Sequence, residues 1–433
     1  MVKYNFKDAL IKILNNSIFI SLFLSMVFTR SFYGLKIFGF RLGELAVGFG
    51  LLLIIIFCIS KIIKKNFFSD FPAAHFYIVL ITFLCSLLLN KGSLFSQYTF
   101  KSSSFLWMVG YIFLGYTFFR YFKFTKIHIY LLAFTPYIIY IFNSGNYPNF
   151  IMGFFGTYSD KFQFIKGADV LMALVFCIFL LKDKINTNVF IIYFNITGSL
   201  LLPLFLTLSR ASFFSGFLFL VSLNLLYKNE IKNNLKKYAI LILFSIFLFI
   251  LSAVRVAALP EFEGSTNPEP ISIVQQSVTE VVERKNTNKF FLGFYFCENR
   301  ICSTDNTLDW RLDIWNDLVV DQLGKNKLIF GFGFNEIFEV MKDPNAPGRL
   351  GRDGLNENVH NHIFTIIGRM GLIGLVSYLF FQVKLLSPLK KKVFVFILPL
   401  FLVSSFDTTM ESVQFPLLYY FLISFYYSTL SKS

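Results

Sequence analysis

Charge is what this sequence has least of. Of its 433 residues only 15% are charged, and the 25 acidic side chains are outnumbered by 40 basic ones. A water-soluble domain carries about 25% charged residues, so there is too little polar surface here to cover a soluble globule. That excludes a cytosolic enzyme and a disordered protein. Cysteine is scarce as well, and five residues do not make a disulfide-dense secreted module. Cys58, Cys85 and Cys177 fall inside apolar runs and read as small apolar side chains. Histidine is scarcer still, with four in the chain. The sequence also lacks a Ser-His-Asp order, a phosphate-cradling glycine loop and a carboxylate cluster suited to a metal, so neither metal nor cofactor is expected. What it has in quantity is apolar surface: 55% hydrophobic residues, with 60 phenylalanines.

Apolar runs fall at 10–29, 42–62, 71–89, 105–122, 128–142, 167–181, 189–208, 212–226, 239–252, 363–383, 393–406 and 415–430. A membrane span needs roughly 20 such residues. The fold class expected is therefore an all-α polytopic membrane protein of about twelve transmembrane helices with one large, partly helical periplasmic loop. The first run has no small-residue cleavage site and is followed by further spans, so it reads as a helix and not as a cleaved signal. Alternate loops differ in charge: one set, with the termini, carries 20 Lys and Arg, and the opposite short loops carry 8. Cytoplasmic loops are the basic ones. Both termini are thus expected in the cytoplasm, and the number of spans is even. The basic excess is an orientation signal, which removes the reason to expect nucleic acid as a partner.

One connection stands apart. Residues 253–360 hold 11 basic against 16 acidic side chains and fall on the extracytoplasmic side. Structureless loops of that length are uncommon, so it should fold. Ile271, Val274, Val278, Val281 and Val282 follow helical spacing, as do Ile314, Trp315, Leu318, Val319 and Leu323. Asp309 is the expected N-cap of the second helix. Pro260, Pro268 and Pro270 open the loop, and Pro344, Pro347, Gly348, Gly351 and Gly354 close it. The chain then divides into 1–252 (nine spans), 253–362 (loop) and 363–433 (three spans). Cys297 and Cys302, with four residues between them in this loop, are placed for a local disulfide in an oxidising periplasm.

Polar groups at the outer membrane boundary are the place to look for chemistry, because ionisable residues there are costly. Arg210 lies in the short turn Thr207-Leu208-Ser209-Arg210-Ala211-Ser212. It reads as a planar clamp for phosphate or carboxylate, or equally as an arginine snorkelling to headgroups. Arg311 shares the apolar stripe of Ile314, Trp315 and Leu318, while Asp313, Asp317 and Asp321 line another face. It calls for a partner in the surface on which that stripe packs, or for a nearby loop carboxylate. His360 and His362 flank Asn361 at the start of the tenth span. A helix N-terminus disfavours imidazolium and leaves a neutral ring able to take a proton; the plainer reading makes both capping residues. His75 and His128, at span boundaries on the other side, get only the plain reading. Arg369 lies inside the tenth span, where pairing with Asp407 or Glu411 is the expectation, and Gly368, Gly371 and Gly374 suggest close packing. Cations with a neutral base suit a substrate whose leaving group is a polyanion and whose nucleophile is a hydroxyl.

These residues carry a family resemblance. Leu208-Ser209-Arg210-Ala211 and Trp310-Arg311-Leu312-Asp313-Ile314-Trp315 resemble the two arginine motifs of the O-antigen ligase and O-antigen polymerase superfamily. Gly331-Phe332-Gly333 follows, and His360-Asn361 leads to Gly371-Leu372-Ile373-Gly374 at a fixed interval. The resemblance implies a metal-independent, inverting glycosyltransferase of the bacterial inner membrane, working at the periplasmic face. The donor it implies is a glycan on undecaprenyl pyrophosphate, surrounded by membrane lipids. The acceptor is lipid A–core for a ligase and a second lipid-linked glycan for a polymerase. By position, His360 is the implied base for the acceptor hydroxyl, and Arg210 and Arg311 hold the departing pyrophosphate. His362, Asn361 and Arg369 fall to supporting substrate binding. The clear Arg-Leu-Asp-Ile-Trp and His-Asn segments favour ligase over polymerase, with protein O-oligosaccharyltransferase also open. A lipid-glycan transporter is the reading from another class. It should place cations along the middle of many spans, whereas these gather at one face.

Overall fold

The computed structural model describes residues 6–63, 68–161, 165–257, 293–297, 300–346, 348–350, 357–389 and 391–430. The helical spacing expected at 271–282 lies outside them, as do Pro260, Pro268, Pro270, Pro347, Gly351 and Gly354. A helix covers every apolar run: Phe6–Tyr33, Leu42–Ile62, Ala73–Leu89, Tyr111–Tyr121, Lys126–Asn143, Gly167–Leu181, Thr187–Leu208, Arg210–Leu226, Leu235–Ala257, His362–Leu386, Lys391–Ser404 and Gln414–Leu430. The run at 105–122 is interrupted, because a helical turn, Ser104–Trp107, and a 3-10 turn, Met108–Gly110, precede Tyr111–Tyr121. Five helices are by length and hydropathy sufficient to cross a membrane: Ala9–Tyr33, Leu42–Ile62, Thr187–Leu208, Leu235–Ala257 and His362–Leu386. Two short helices, Gln97–Ser102 and Asn149–Tyr158, lie in stretches the apolar pattern leaves as loop.

Gly167–Leu181 is the axis of the bundle, and every one of its residues is buried. A helix apolar all round belongs in a core, and this one is packed by Lys126–Asn143, Thr187–Leu208 and Gln414–Leu430. His362–Leu386 packs on Ala73–Leu89, and Lys391–Ser404 on Arg210–Leu226. Leu235–Ala257 is mostly exposed, with Ile240, Leu243, Phe247 and Val254 outward, as suits a lipid-facing helix.

Loops that alternate along the sequence meet at one end. Arg41 pairs with Asp160, Lys101 with Glu357, Lys166 with Asp407 and Arg210 with Asp305. The helix Asn306–Gly324 joins this end through its own small core of Ile314, Trp315, Leu318, Phe338, Val340, Met341 and Val359. Its N-cap is Asp305, whose side chain accepts from the Leu308 amide at 2.9 Å. Asp309, expected in that role, sits a turn inside and binds Arg300 at 2.9 and 3.2 Å. The reason is the hairpin of Phe294–Cys297 and Arg300–Ser303, which hands the chain to the helix earlier than the apolar stripe signals. Cys297 and Cys302 are disulfide-bonded within that hairpin, their Cα atoms 5.9 Å apart. Arg349 closes the other face by binding Asp313 and Asp317, both at 2.5 Å.

The helix His362–Leu386 breaks at Gly371 (φ 68°, ψ −169°). In an unbroken helix the amides of Leu372 and Ile373 would bond the carbonyls of Gly368 and Arg369. Here the backbone of 328–333 lies between them. Phe332 and Gly333 donate to the Gly368 and Arg369 carbonyls at 2.8 and 3.0 Å, while Leu372 and Ile373 donate to the Leu328 and Ile329 carbonyls at 2.9 and 3.3 Å. All four groups released by the break are thus satisfied, which an apolar surrounding requires. A side chain at Gly371 would strike the Ile329 carbonyl, and one at Gly331 the Arg369 carbonyl. The spacing of the two glycine motifs is the footprint of this interlock.

Gly371 occupies backbone space that side chains avoid at a cost of about 1–3 kcal/mol. Gly371→Ala is therefore expected to lower the melting temperature of the purified protein markedly. Val376→Ala, at an exposed position of the same helix, is the control expected to leave it in place; equal melting of both variants would dissolve the interlock.

Candidate functional site

Four elements converge on one crevice. Lys166 ends the loop before the axial helix; the turn 405–413 joins the last two helices; His360 precedes the broken helix; and Arg311 projects from Asn306–Gly324. Lys166 Nζ donates to Asp407 Oδ1 at 2.8 Å and to Thr408 Oγ1 at 3.2 Å. Arg311 Nη1 donates to the Phe406 carbonyl at 2.6 Å. Its Nε is buried and has no partner among the described residues, so the guanidinium keeps donor capacity for an anion. The His360 ring packs against Trp310, with centroids 5.1 Å apart. His360 also adopts a left-handed backbone (φ 54°), uncommon for a residue with a side chain. That conformation turns the chain out of the loop just before the helix begins.

Charge and burial set the state of these groups. Burial lowers the imidazole of His360 from 6.5 to about 3, helped by the Arg311 and Lys166 cations and opposed by Asp407. The ring is therefore neutral at neutral pH. Burial alone would raise the Asp407 carboxyl, but the Lys166 ammonium, then Arg311 and His360, hold it well below the ordinary carboxylate range. Burial also lowers Arg311, with Asp407 opposing. The crevice thus offers cations, one firmly ionised carboxylate and a neutral base.

The remaining expected residues take different places. Arg210 is exposed and pairs with Asp305, the cap of the helix that carries Arg311 six residues later, roughly 9 Å along the axis. Asn361 caps the broken helix, its Oδ1 accepting from the Ile363 and Phe364 amides and its Nδ2 donating to the Ser405 carbonyl at 2.7 Å. His362 is buried, with Nδ1 2.8 Å from Glu411 Oε1 and Nε2 3.1 Å from the Tyr378 hydroxyl. Both ring nitrogens are therefore engaged inside the protein. Arg369 pairs with neither Asp407 nor Glu411, contrary to expectation. It donates to the Gly333 and Glu336 carbonyls at 3.2 and 2.6 Å and to the Tyr98 hydroxyl at 3.0 Å, and lies 4.1 Å from the Phe338 ring centroid. The break at Gly371 is the cause, since it draws the 331–338 segment onto Arg369 while Lys166 and His362 take the two carboxylates. His75 and His128 stay plain: the first packs on Phe380 and the second on Phe19 and Phe122.

Lys166 and Asp407 are the functional candidates that sequence reasoning overlooked as a pair. Lys166 counted only as one basic loop residue, and nothing in a 241-residue separation announces the contact. Residues 196–379 match a family model described as O-antigen ligase. That stretch contains Arg210, Arg311, His360 and Gly371, so the resemblance to the O-antigen ligase and polymerase superfamily is shown. No curated protein and no solved structure matches the chain.

His360 takes its proton near pH 6.5 when unfolded and near 3 when folded. Between those values the unfolded chain binds more protons, so this contribution to stability is full above the upper value and is lost as pH falls toward the lower. His360→Asn is expected to flatten the melting temperature across that acid range relative to wild type. Identical acid slopes in the two proteins would remove the buried neutral imidazole.

Proposed function

We propose that this chain, whose residues 196–379 carry the O-antigen ligase family, is an integral-membrane glycosyltransferase. It moves a glycan from undecaprenyl pyrophosphate to a sugar hydroxyl, with the crevice at the periplasmic face of a bacterial inner membrane and both termini in the cytoplasm. The observation that carries the reading is the pairing in one crevice of a neutral imidazole with a guanidinium that has donor capacity left.

His360 accepts the proton of the acceptor hydroxyl as its oxygen attacks the anomeric carbon. The bond from that carbon to the pyrophosphate breaks, and the leaving group departs with the electron pair onto Arg311 and, by exchange for Asp305, Arg210. Such fixed donors act where charge develops, and in a site sheltered from water they count for more than in bulk solvent. With the anion bound, further negative charge joins Asp407 in offsetting Arg311 and Lys166 at His360. Two of the causes that depress the imidazole weaken and its basicity rises when the donor is in place, while burial, the largest of them, remains. Asn361, His362 and Arg369 position the machinery: the first two fix the start of the broken helix, and Arg369 holds the loop segment beneath it. The arginines supply the cationic charge, so the transfer is metal-independent and proceeds by a single inverting displacement.

Ligase, with lipid A–core as acceptor, is the first reading because the matched family bears that description. A polymerase joining two lipid-linked units uses the same crevice, and a lipid-glycan transporter binds the pyrophosphate without breaking a bond. Gene deletion separates them. Bare core without polymer follows loss of a ligase, core with one repeat follows loss of a polymerase, and donor held in the cytoplasmic leaflet follows loss of a transporter.

His360→Ala and Arg311→Ala are each expected to abolish transfer while the protein still inserts in the membrane, a general base being worth about 10²–10⁴-fold. Near-normal turnover by purified protein carrying either change would reject these roles. EDTA is expected to leave turnover intact, and strict dependence on a divalent ion would contradict the chemistry.

A further inference from the structure

A polar cavity of about 80 Å³ opens beside the crevice. Lys166 lies on its border, shared with His360 through the Lys166–Asp407 pair. Asn358, two residues before His360, forms another part of its wall. Two of its polar side chains are more than nine-tenths buried and carry an oxygen with no partner among the described residues. Thr409 is 2% exposed and its Oγ1 has none. The Glu411 side chain is 9% exposed; Oε1 meets His362, and Oε2 has no partner. Asp169, by contrast, is met on both oxygens by Gln414 Nε2 at 3.2 and 3.0 Å.

Hydrogen-bond demand identifies what fits. A carboxylate oxygen only accepts, so the occupant has to bring an O–H or N–H to Glu411. Arg30 and Lys166 also line the cavity, but a phosphate would bring negative charge beside the Glu411 carboxylate and no donor for it, so the lipid pyrophosphate is better matched at Arg311. A neutral polyol brings hydroxyls that donate to Glu411 and accept from Asn358 or Lys166, while Thr409 serves either way. We propose that this cavity takes one hydroxyl-bearing edge of the acceptor sugar, the rest of the ring lying outside it, with Glu411, Thr409 and Asn358 reading its hydroxyls and the reacting hydroxyl turned toward His360. The proposal rests on the transferase reading for the word acceptor, and on the cavity alone for sugar binding.

The test is saturation-transfer NMR on the full chain in lipid nanodiscs, with free hexoses and N-acetylhexosamines as one probe set and inorganic pyrophosphate as the other. Wild type is expected to show sugar signals. Glu411→Gln, which keeps an acceptor for His362, and Thr409→Val, which keeps the shape, are each expected to weaken sugar affinity by about tenfold or more while pyrophosphate binding persists. Two variants with unchanged melting temperature guard against a folding loss. No sugar signal in wild type, or wild-type sugar affinity in both variants, overturns the cavity assignment. Sugar binding that depends on these residues, in a protein that transfers nothing from a lipid pyrophosphate donor, upholds the cavity and removes the transferase reading. Transfer with acceptor affinity unmoved in both variants does the reverse.

Discussion

An apolar surrounding does not tolerate an unpaired amide, and the end of the bundle that carries the crevice follows from how one helix meets that constraint. His362–Leu386 is interrupted at Gly371, and the turn backbone of 328–333 satisfies what the interruption leaves open. That exchange fixes the loop segment to the bundle at main-chain level. Arg369, Asn90 and Ser86 add to it, the last two through the Gly331 and Arg369 carbonyls at 3.2 and 2.6 Å. Trp315 completes the attachment from above, donating to the Val359 carbonyl at 2.6 Å and stacking on Phe364. Arg311 and His360 face each other because both ends of their connecting chain are pinned.

Within the crevice the charges are arranged in opposition and not as simple pairs. Asp407 answers Lys166 directly and Arg311 more remotely, and both cations act on His360. A neutral base can sit beside a guanidinium without conflict, whereas an imidazolium cannot. Arg311 also retains a buried donor with no partner among the described residues. The adjoining cavity has a different chemistry, with oxygens of Thr409 and Glu411 that have no partner among the described residues.

Much of this was legible in the sequence because it is periodic or local. Apolar runs mark the helices, since lipid and core both select by hydropathy, and Gly167–Leu181 falls at the boundaries its pattern gives. Arg311 shares a stripe with Ile314, Trp315 and Leu318, and that stripe is the one that packs. Contacts between distant segments were not legible. Lys166 finds Asp407, and Glu411 finds His362, only once the helices between them are folded. Arg369 was assigned the wrong partner for the same reason: its neighbours come from a backbone insertion that no spacing of charges announces. The cap at Asp305 was missed because a hairpin, and not an apolar period, decides where that helix starts.

The axial helix is short. Its 15 residues rise about 22 Å, against a hydrocarbon slab of about 30 Å. Lys182 at its far end rests over the Phe179 ring at 4.0 Å, as a lysine does where oil gives way to water. With Lys182 set at one interface, the shortfall of about 8 Å would fall at the Lys166 end and would recess the polar crevice below the headgroup plane. On the proposed function, a polyprenol-borne phosphoanhydride would reach such a basin by sliding sideways, its isoprenoid tail never leaving the leaflet.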